Sequence, residues 1–316
     1  MENIRINQFQ QGIRIDGIYL LKSMDYKTTN SNNKKYMDLY LCDKTGEINA
    51  KLWEIRDEEN LQENSLAHVT GTVLLWQGSL QLKIESIKTL ENVEDINIED
   101  FVQCAPYNSE DMLNKVQEYI STMNNEDLKN ITTYFIEENK EKLLYYPAAK
   151  KNHHAIRGGL LYHMTTMLDG GKALSNIYSF LNKELLYAGI ILHDICKMDE
   201  MDSNSLGFVK DYTIEGQLLG HISLGVGKIE YAGESLGISK EIIMVLKHMV
   251  LSHHYEPDYG SPIKPMIPEA EMLHYLDIMD ARMYDMEKAL RDVNRGEFSE
   301  RIWSLENRKV YKPRIK

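Results

Sequence analysis

The spacing of apolar and polar positions changes period near residue 109. Before it, short runs alternate with a period of two, as half-buried strands do. After it, apolar residues recur every three or four positions, as on one face of a helix. Ile13-Arg14-Ile15-Asp16-Gly17-Ile18-Tyr19-Leu20-Leu21 opens the first predicted strand and leads into a polar stretch from Lys27 to Lys35. Tyr36-Met37-Asp38-Leu39-Tyr40-Leu41-Cys42 alternates, and Asp43-Lys44-Thr45-Gly46 supplies turn chemistry into a partner strand over residues 47–53. A polar link over residues 57–65, predicted helical, precedes a fourth strand over 68–76, and Gln77-Gly78-Ser79 turns the chain into a fifth over 80–87.

Five short strands with a helix between the third and fourth follow the order of an OB barrel. Residues 91–100 are acidic and weakly patterned, which suits a linker. Ser109-Glu110-Asp111 is a helix start, and Met112, Val116, Tyr119 and Ile120 give one apolar face. Helical periodicity continues to about Val293, punctuated by Pro147, Gly158-Gly159, Gly170-Gly171, Gly207 and a proline-rich loop over 256–268. The fold class expected is multi-domain α+β: an N-terminal five-stranded OB-fold β-barrel, then an all-α helical bundle. Its expected divisions are a barrel at 1–90, a linker and helical extension at 91–147, the bundle at 148–293 and a basic tail at 294–316.

Charge and composition narrow the field. No apolar run approaches the roughly 20 residues that span a bilayer, and the opening MENIRINQFQ lacks the apolar core of an export signal. A cytoplasmic protein without a membrane partner is the expectation. The three cysteines, Cys42, Cys104 and Cys196, share no metal-type spacing and read as free thiols. A net charge of −12 offers no general attraction to polyanions, although bound cations would reverse the field locally. The end of the chain departs from the average, with six basic residues against one acidic (Glu306) from Arg301 onward. It reads as a solvated, partly disordered tail.

One constellation carries chemistry. His193-Asp194 closes an apolar helical run, where a charged Asp is costly unless something pairs with it. His163 lies upstream in Gly-Gly-Leu-Leu-Tyr-His; His221, His253-His254 and Asp277 lie downstream. The intervals of 30, 27, 32 and 24 residues fit helix–turn–helix returns to a shared centre. Imidazole with carboxylate suits borderline cations such as Mn²⁺, Fe²⁺, Co²⁺ or Ni²⁺. The set exceeds what one tetrahedral zinc needs, so two divalent ions are expected, manganese first and magnesium included among the alternatives. His154 and Arg157 precede the first ligand helix, where a helix N-terminus favours phosphate. Tyr40, Trp53 and Trp76, with Lys51 and Lys83, are the strand-binding candidates of the barrel. The segment 1–96 is slightly acidic, so stacking would carry more of that binding than phosphate contacts.

The order His163, His193-Asp194, Asp277 resembles the HD-domain phosphohydrolases, and His221 with His253-His254 resembles their bimetallic subset. His193-Asp194-x-x-Lys197 is similar to the HD-GYP members, but the Gly-Tyr-Pro element is missing. Pairing with an N-terminal OB fold, together with Gly-Gly-Leu-Leu-Tyr-His and Ser-His-His-Tyr-Glu, resembles the YhaM family of bacterial 3′→5′ exoribonucleases across about residues 13–290. That resemblance implies one metal held by His163, His193, Asp194 and Asp277, and a second held by His221, His253 and His254 with Asp194 bridging. Whether both His253 and His254 ligate is open, and Asp280, one turn beyond Asp277, is an alternative ligand or a support for one. Lys197 would neutralise charge at the scissile phosphate, and Asp194 with Lys197 forms the catalytic pair. Single-stranded RNA, and single-stranded DNA with it, would be the partner and substrate, cut from the 3′ end to nucleoside 5′-monophosphates. Two rivals stand beside this: a phosphohydrolase of small nucleotides using the same metals, and a non-catalytic strand-binding protein. Helical bundles with uncovered apolar faces assemble, so a homo-oligomer of unstated size is also expected.

Overall fold

A computed structural model of the chain describes residues 3–29, 33–55, 61–93 and 95–315. It comprises two compact units, Met1–Cys104 and Ala105–Lys316.

In the first unit, strands β1 (Arg14–Thr28), β2 (Lys35–Asp43), β3 (Gly46–Leu52), β4 (Ser65–Trp76) and β5 (Ser79–Thr89) close a barrel in the order β1-β2-β3-β5-β4. All pairs are antiparallel except β3 with β5. Closure follows from the period-two pattern. Ile15, Tyr19, Leu21, Met37, Leu39, Leu41, Ile48, Ala50, Leu52, Val69, Val73, Leu82 and Ile84 form one buried core, and closing the sheet removes most unpaired strand edges. The intervening residues are thereby fixed on the outside. Asp38 stands opposite Lys51 and Lys51 beside Lys83; Tyr40 stands opposite Asn49, Asn49 beside Gln81, and Gln81 opposite Leu74. The helix expected over residues 57–65, between β3 and β4, lies in part on residues 57–60, outside the described set. Residues 61–64 are turn and coil, and Ser65 already belongs to β4.

In the second unit, α1 (Ser109–Ser121), α2 (Glu126–Leu143), α3 (Gly159–Ile177), α4 (Lys183–Leu192), α5 (Lys197–Glu200), α6 (Ile214–Leu236), α7 (Lys240–Ser252) and α8 (Pro268–Leu290) surround a common core. Their starts are written locally. Asn108, Asn125, Asn182, Thr213 and Ser239 each accept a backbone N–H at the first turn of α1, α2, α4, α6 and α7. Met112, Val116, Ile131 and Phe135 pack with Leu160, Leu186 and Ile190, so α1 and α2 belong to the bundle rather than to an extension beside it. A short hairpin, β6 (Met201–Ser203) with β7 (Val209–Tyr212), interrupts the helices where helical periodicity was expected throughout. Strands of three and four residues are too short to show a period.

The tail also departs from expectation. Phe298 bridges Tyr311 and Ile302 bridges Arg308, while Leu305 is fully buried. Residues 296–312 fold back as a hairpin instead of trailing into solvent.

Gly71 sits at the bulge in the β4–β5 ladder, where a Cβ would fall 2.4 Å from the Lys83 carbonyl oxygen. Backbone cannot yield as a side-chain tip can, so Gly71→Ala is expected to cost about 1–3 kcal/mol. At Gly189 the close contacts of a Cβ would be with the flexible end of Met249, Leu273 lying at an ordinary 3.6 Å, so Gly189→Ala should cost less. Urea unfolding of the full chain measures both.

Candidate metal centre

The site is assembled from helix ends and breaks, with the middle of one long helix closing it. Gly158 takes a left-handed conformation (φ 71°) at the start of α3, and a Cβ on Gly159 would lie 2.0 Å from the His154 carbonyl oxygen. The paired glycines thus let the preceding loop lie on the helix start, and His163 follows within α3, 1% exposed. Residues Leu186 to Leu192 of α4 are all buried, which drives the following His193 and Asp194 into the interior. α6 breaks at Gly220 just before His221. α7 ends at His253, and α8 carries Asp277 and Asp280 one turn apart.

Asp194 is the hub. Its Oδ2 lies 3.4 Å from His193 Nε2 and 3.8 Å from His163 Nε2; its Oδ1 lies 3.4 Å from His221 Nε2 and 3.8 Å from His253 Nε2. Asp277 Oδ1 lies 3.3 Å from His163 Nε2. The Nε2 atoms of His163, His193, His221 and His253, with Asp194 Oδ1, are buried without a hydrogen-bond partner among the described residues. Leaving such atoms unpaired costs about 1–3 kcal/mol each. Donor atoms sharing a cation with bonds of about 2.1 Å sit roughly 3.0–3.5 Å apart. The donor set therefore fits divalent metal. Two clusters emerge around it: His163, His193 and Asp277, and then Asp194, His221, His253 and His254.

Every imidazole in the set is held from behind. His193 Nδ1 donates to the Ile190 carbonyl (2.8 Å), His253 Nδ1 to Val250 (2.7 Å) and His254 Nδ1 to Tyr259 (2.5 Å). A carbonyl only accepts, so each Nδ1 carries the proton and each Nε2 lone pair is free for a metal. Carboxylates do the same elsewhere. Asp280 Oδ2 accepts from His163 Nδ1 (2.7 Å) and faces His154 Nε2 (2.8 Å), while Glu200 sits 3.1 Å from His221 Nδ1. His154, His163 and Asp280 also lie at metal-compatible distances. Both contacts use Asp280 Oδ2, an arrangement that suits a support behind His163.

Burial by itself would raise the Asp194 carboxyl, but Lys197, His193 and His221 outweigh it and hold it well below the ordinary range. Asp277 is held low against burial chiefly by His163, and Asp280 by His154 and His163. Burial opposes a charge on His163, yet Asp277 and Asp280 raise it to about 10. Holding a cation at Nε2 would require His163 to give up that proton. Burial pushes His253 and His254 down, so both are neutral at pH 7.

The remaining candidates are spread more widely. His154 is 1% exposed and turned onto Asp280, behind His163, so it cannot serve as the phosphate contact expected of it. Arg157 spends its Nε on the Ser205 carbonyl. Lys197 is half-buried with Nζ 2.7 Å from Asp194 Oδ2. On the barrel, Trp53 stacks on Tyr36 with ring centres 4.7 Å apart, Tyr40 and Trp76 are exposed, and Lys83 is exposed. Lys51 is paired to Asp38 at 2.5 Å and little exposed, which weakens it as a phosphate contact. Cys196 is buried, its thiol pushed up to about 12 by burial, and it joins neither cluster.

Two residues at the centre escaped sequence reasoning. Glu200 lies seven positions after His193 and belongs to α5, too short to show a face. His153 is half-buried, its ring centre 6.2 Å from those of His154 and His163. The adjacent histidines before Gly-Gly were the available signal for it.

The fold and donor set define an HD-domain protein with an OB-fold barrel. Residues 160–282 match the model of the HD domain, and residues 21–90 match that of the OB-fold nucleic acid binding domain. Over 310 residues the chain is 46% identical to the 3′-5′ exoribonuclease YhaM of Geobacillus sp. (strain WCH70), covering 98% of this chain and 94% of that protein. The chain belongs to the YhaM family of 3′-5′ exoribonucleases. Among solved structures it is similar to the second OB-fold domain of replication protein A from Methanococcus maripaludis. The solution structure of that domain gives 19% identity, 29% of this chain, 97% of that chain and a TM-score of 0.25. Its crystal structure gives 23%, 29%, 98% and 0.26.

Asp277 and Asp280 separate by experiment. Asp280→Asn is expected to weaken manganese binding about 10–100-fold, as loss of a ligand's support does. Asp277→Asn should weaken it further. Titration calorimetry on metal-stripped protein reads both.

Proposed function

We propose that the chain hydrolyses single-stranded RNA from its 3′ end with two divalent cations, releasing nucleoside 5′-monophosphates, and accepts single-stranded DNA at the same site. The carrying observation is the ring of partnerless Nε2 atoms directed at Asp194. His163, His193 and Asp277 would hold one cation and His221, His253 and His254 the other, with an Asp194 oxygen facing each cluster. Manganese is the cation proposed first. When bound, such a pair supplies Lewis acidity to a phosphodiester.

The chain's own residues do the rest. Burial opposes a charge on Lys197, but Asp194 and Asp277 hold its ammonium above the ordinary range, so it stays cationic beside the site. In the reaction it would turn to the phosphate. Burial and Lys197 drive His153 down to about 4, leaving a neutral ring at pH 7 that can donate and accept. Among the described residues no side-chain hydrogen bond holds the His153 ring as those of the ligands are held, which suits contact with the terminal nucleotide. On the barrel's outer face, the register aligns Tyr40, Gln81 and Leu74, with Trp76 two positions beyond Leu74 and Lys83 on the next row. Bases stacking there would each contribute about 1–3 kcal/mol. A small nucleotide would leave that face without work. Among the described residues no helix is long and apolar enough to cross a membrane; a cytoplasmic site of action is part of the proposal. The uncovered stripe Tyr275, Met279 and Met283 on α8 supports self-association.

Asp194→Asn should abolish mononucleotide release from a 3′-labelled oligomer while leaving strand binding intact. Persistent activity in chelator-treated wild-type protein would overturn the mechanism. His153→Ala should keep its metal content yet lose about tenfold or more in kcat/KM; loss of metal instead would make it a ligand.

A further inference from the structure

The hairpin at residues 296–312 presents three large rings to solvent. Phe298 is 62% exposed, Trp303 77% and Tyr311 42%. Phe298 and Tyr311 face each other across the ladder with ring centres 5.0 Å apart, and Trp303 stands in the turn. A loose tail would bury such rings or let them move, but this one is pinned. Leu305 is fully buried, Glu306 accepts from Arg282 of α8, and Lys312 Nζ donates to the Leu290 and Val293 carbonyls at the end of that helix. The rings are therefore held ready on a fixed frame, at little further entropic cost on binding.

Charge identifies the occupant. The chain carries a net −12, yet residues 295–315 hold six basic residues against three acidic. Among the described residues no ion pair engages Arg295, Arg301, Lys309 or Arg314. Exposed rings among unpaired cations match a single-stranded polyanion, with bases on the rings and phosphates on the cations. A second copy of the chain fits less well, because a two-fold contact through this face would crowd the same cations together.

We propose that this hairpin is a second single-strand RNA-binding surface, taking bases on Phe298, Trp303 and Tyr311 and phosphates on Arg301, Lys309 and Arg314. The proposal rests on the reading of the substrate as single-stranded RNA. It gives the strand a contact on the catalytic unit itself, separate from the barrel.

The test uses the full-length, manganese-loaded protein and a fluorescent RNA of roughly 20 nucleotides, long enough for more than one contact surface. Phosphorothioate linkages at its 3′ end block turnover. Trp303→Ala should weaken binding at least about fivefold. The double variant Lys309→Glu with Arg314→Glu should weaken it about tenfold or more and flatten its salt dependence by a slope of about 1.4. Hydrolysis of bis(p-nitrophenyl) phosphate serves as a control and should be unchanged in both. Cross-linking with 4-thiouridine RNA to unmutated protein should give adducts between residues 298 and 311, a readout that needs no variant to fold. Unchanged affinity and salt slope, with adducts confined elsewhere, would overturn the proposal. So would a shift in sedimentation with RNA affinity intact, which would make the face a contact between copies. Failure of the substrate reading shows separately, as an unblocked oligomer left intact by active protein.

Discussion

A carboxylate buried at 2% exposure, with imidazoles from four helical elements turned toward it, is the interaction around which the second unit is organised. Asp194 could not sit there alone, because desolvating an unpaired charge in a core costs several kcal/mol or more. Lys197 pairs with one oxygen in this structure, while the other has no hydrogen-bond donor. Much of the local architecture can be read as meeting that constraint. The apolar α4 delivers the acid to the core, the break at Gly220 redirects α6, and α8 brings two more carboxylates on successive turns.

Sequence and structure agree where the signal is periodic or ordered. Alternation over residues 36–42 and 47–53 is enough to pair β2 with β3, since a slip of one position would turn Leu39, Leu41, Ile48 and Ala50 outward. The residues expected at the metal site stood out because they fall in helical runs whose period is visible in the sequence, and the structure brings them within reach of one another. What escaped has no period. The β6–β7 hairpin is shorter than one repeat of any pattern, and Glu200 acts through a ring from another element. His154 was misjudged for a related reason. Its place at a helix start suggested phosphate, whereas its 1% exposure and its contact with Asp280, 126 positions away, show the ring turned inward.

The tail teaches the converse. Its basic composition matches that of disordered ends, but Leu305 and the Glu306–Arg282 pair anchor it to α8. Charge counts take no notice of one well-placed leucine. In the barrel, likewise, Lys51 looks available in sequence and is answered by Asp38 directly across the ladder.

The supports behind the histidines are of two kinds. His193 and His253 lean on main-chain oxygens three residues back in their own helices, whereas His163 and His221 lean on the side chains Asp280 and Glu200. No codon change can delete a main-chain oxygen, so the first two rings are insulated from most inherited variation. The other two can be retuned by altering a neighbour while the histidine itself stays. Divergence in cation preference among descendants of such a protein has these two acids as its accessible dials.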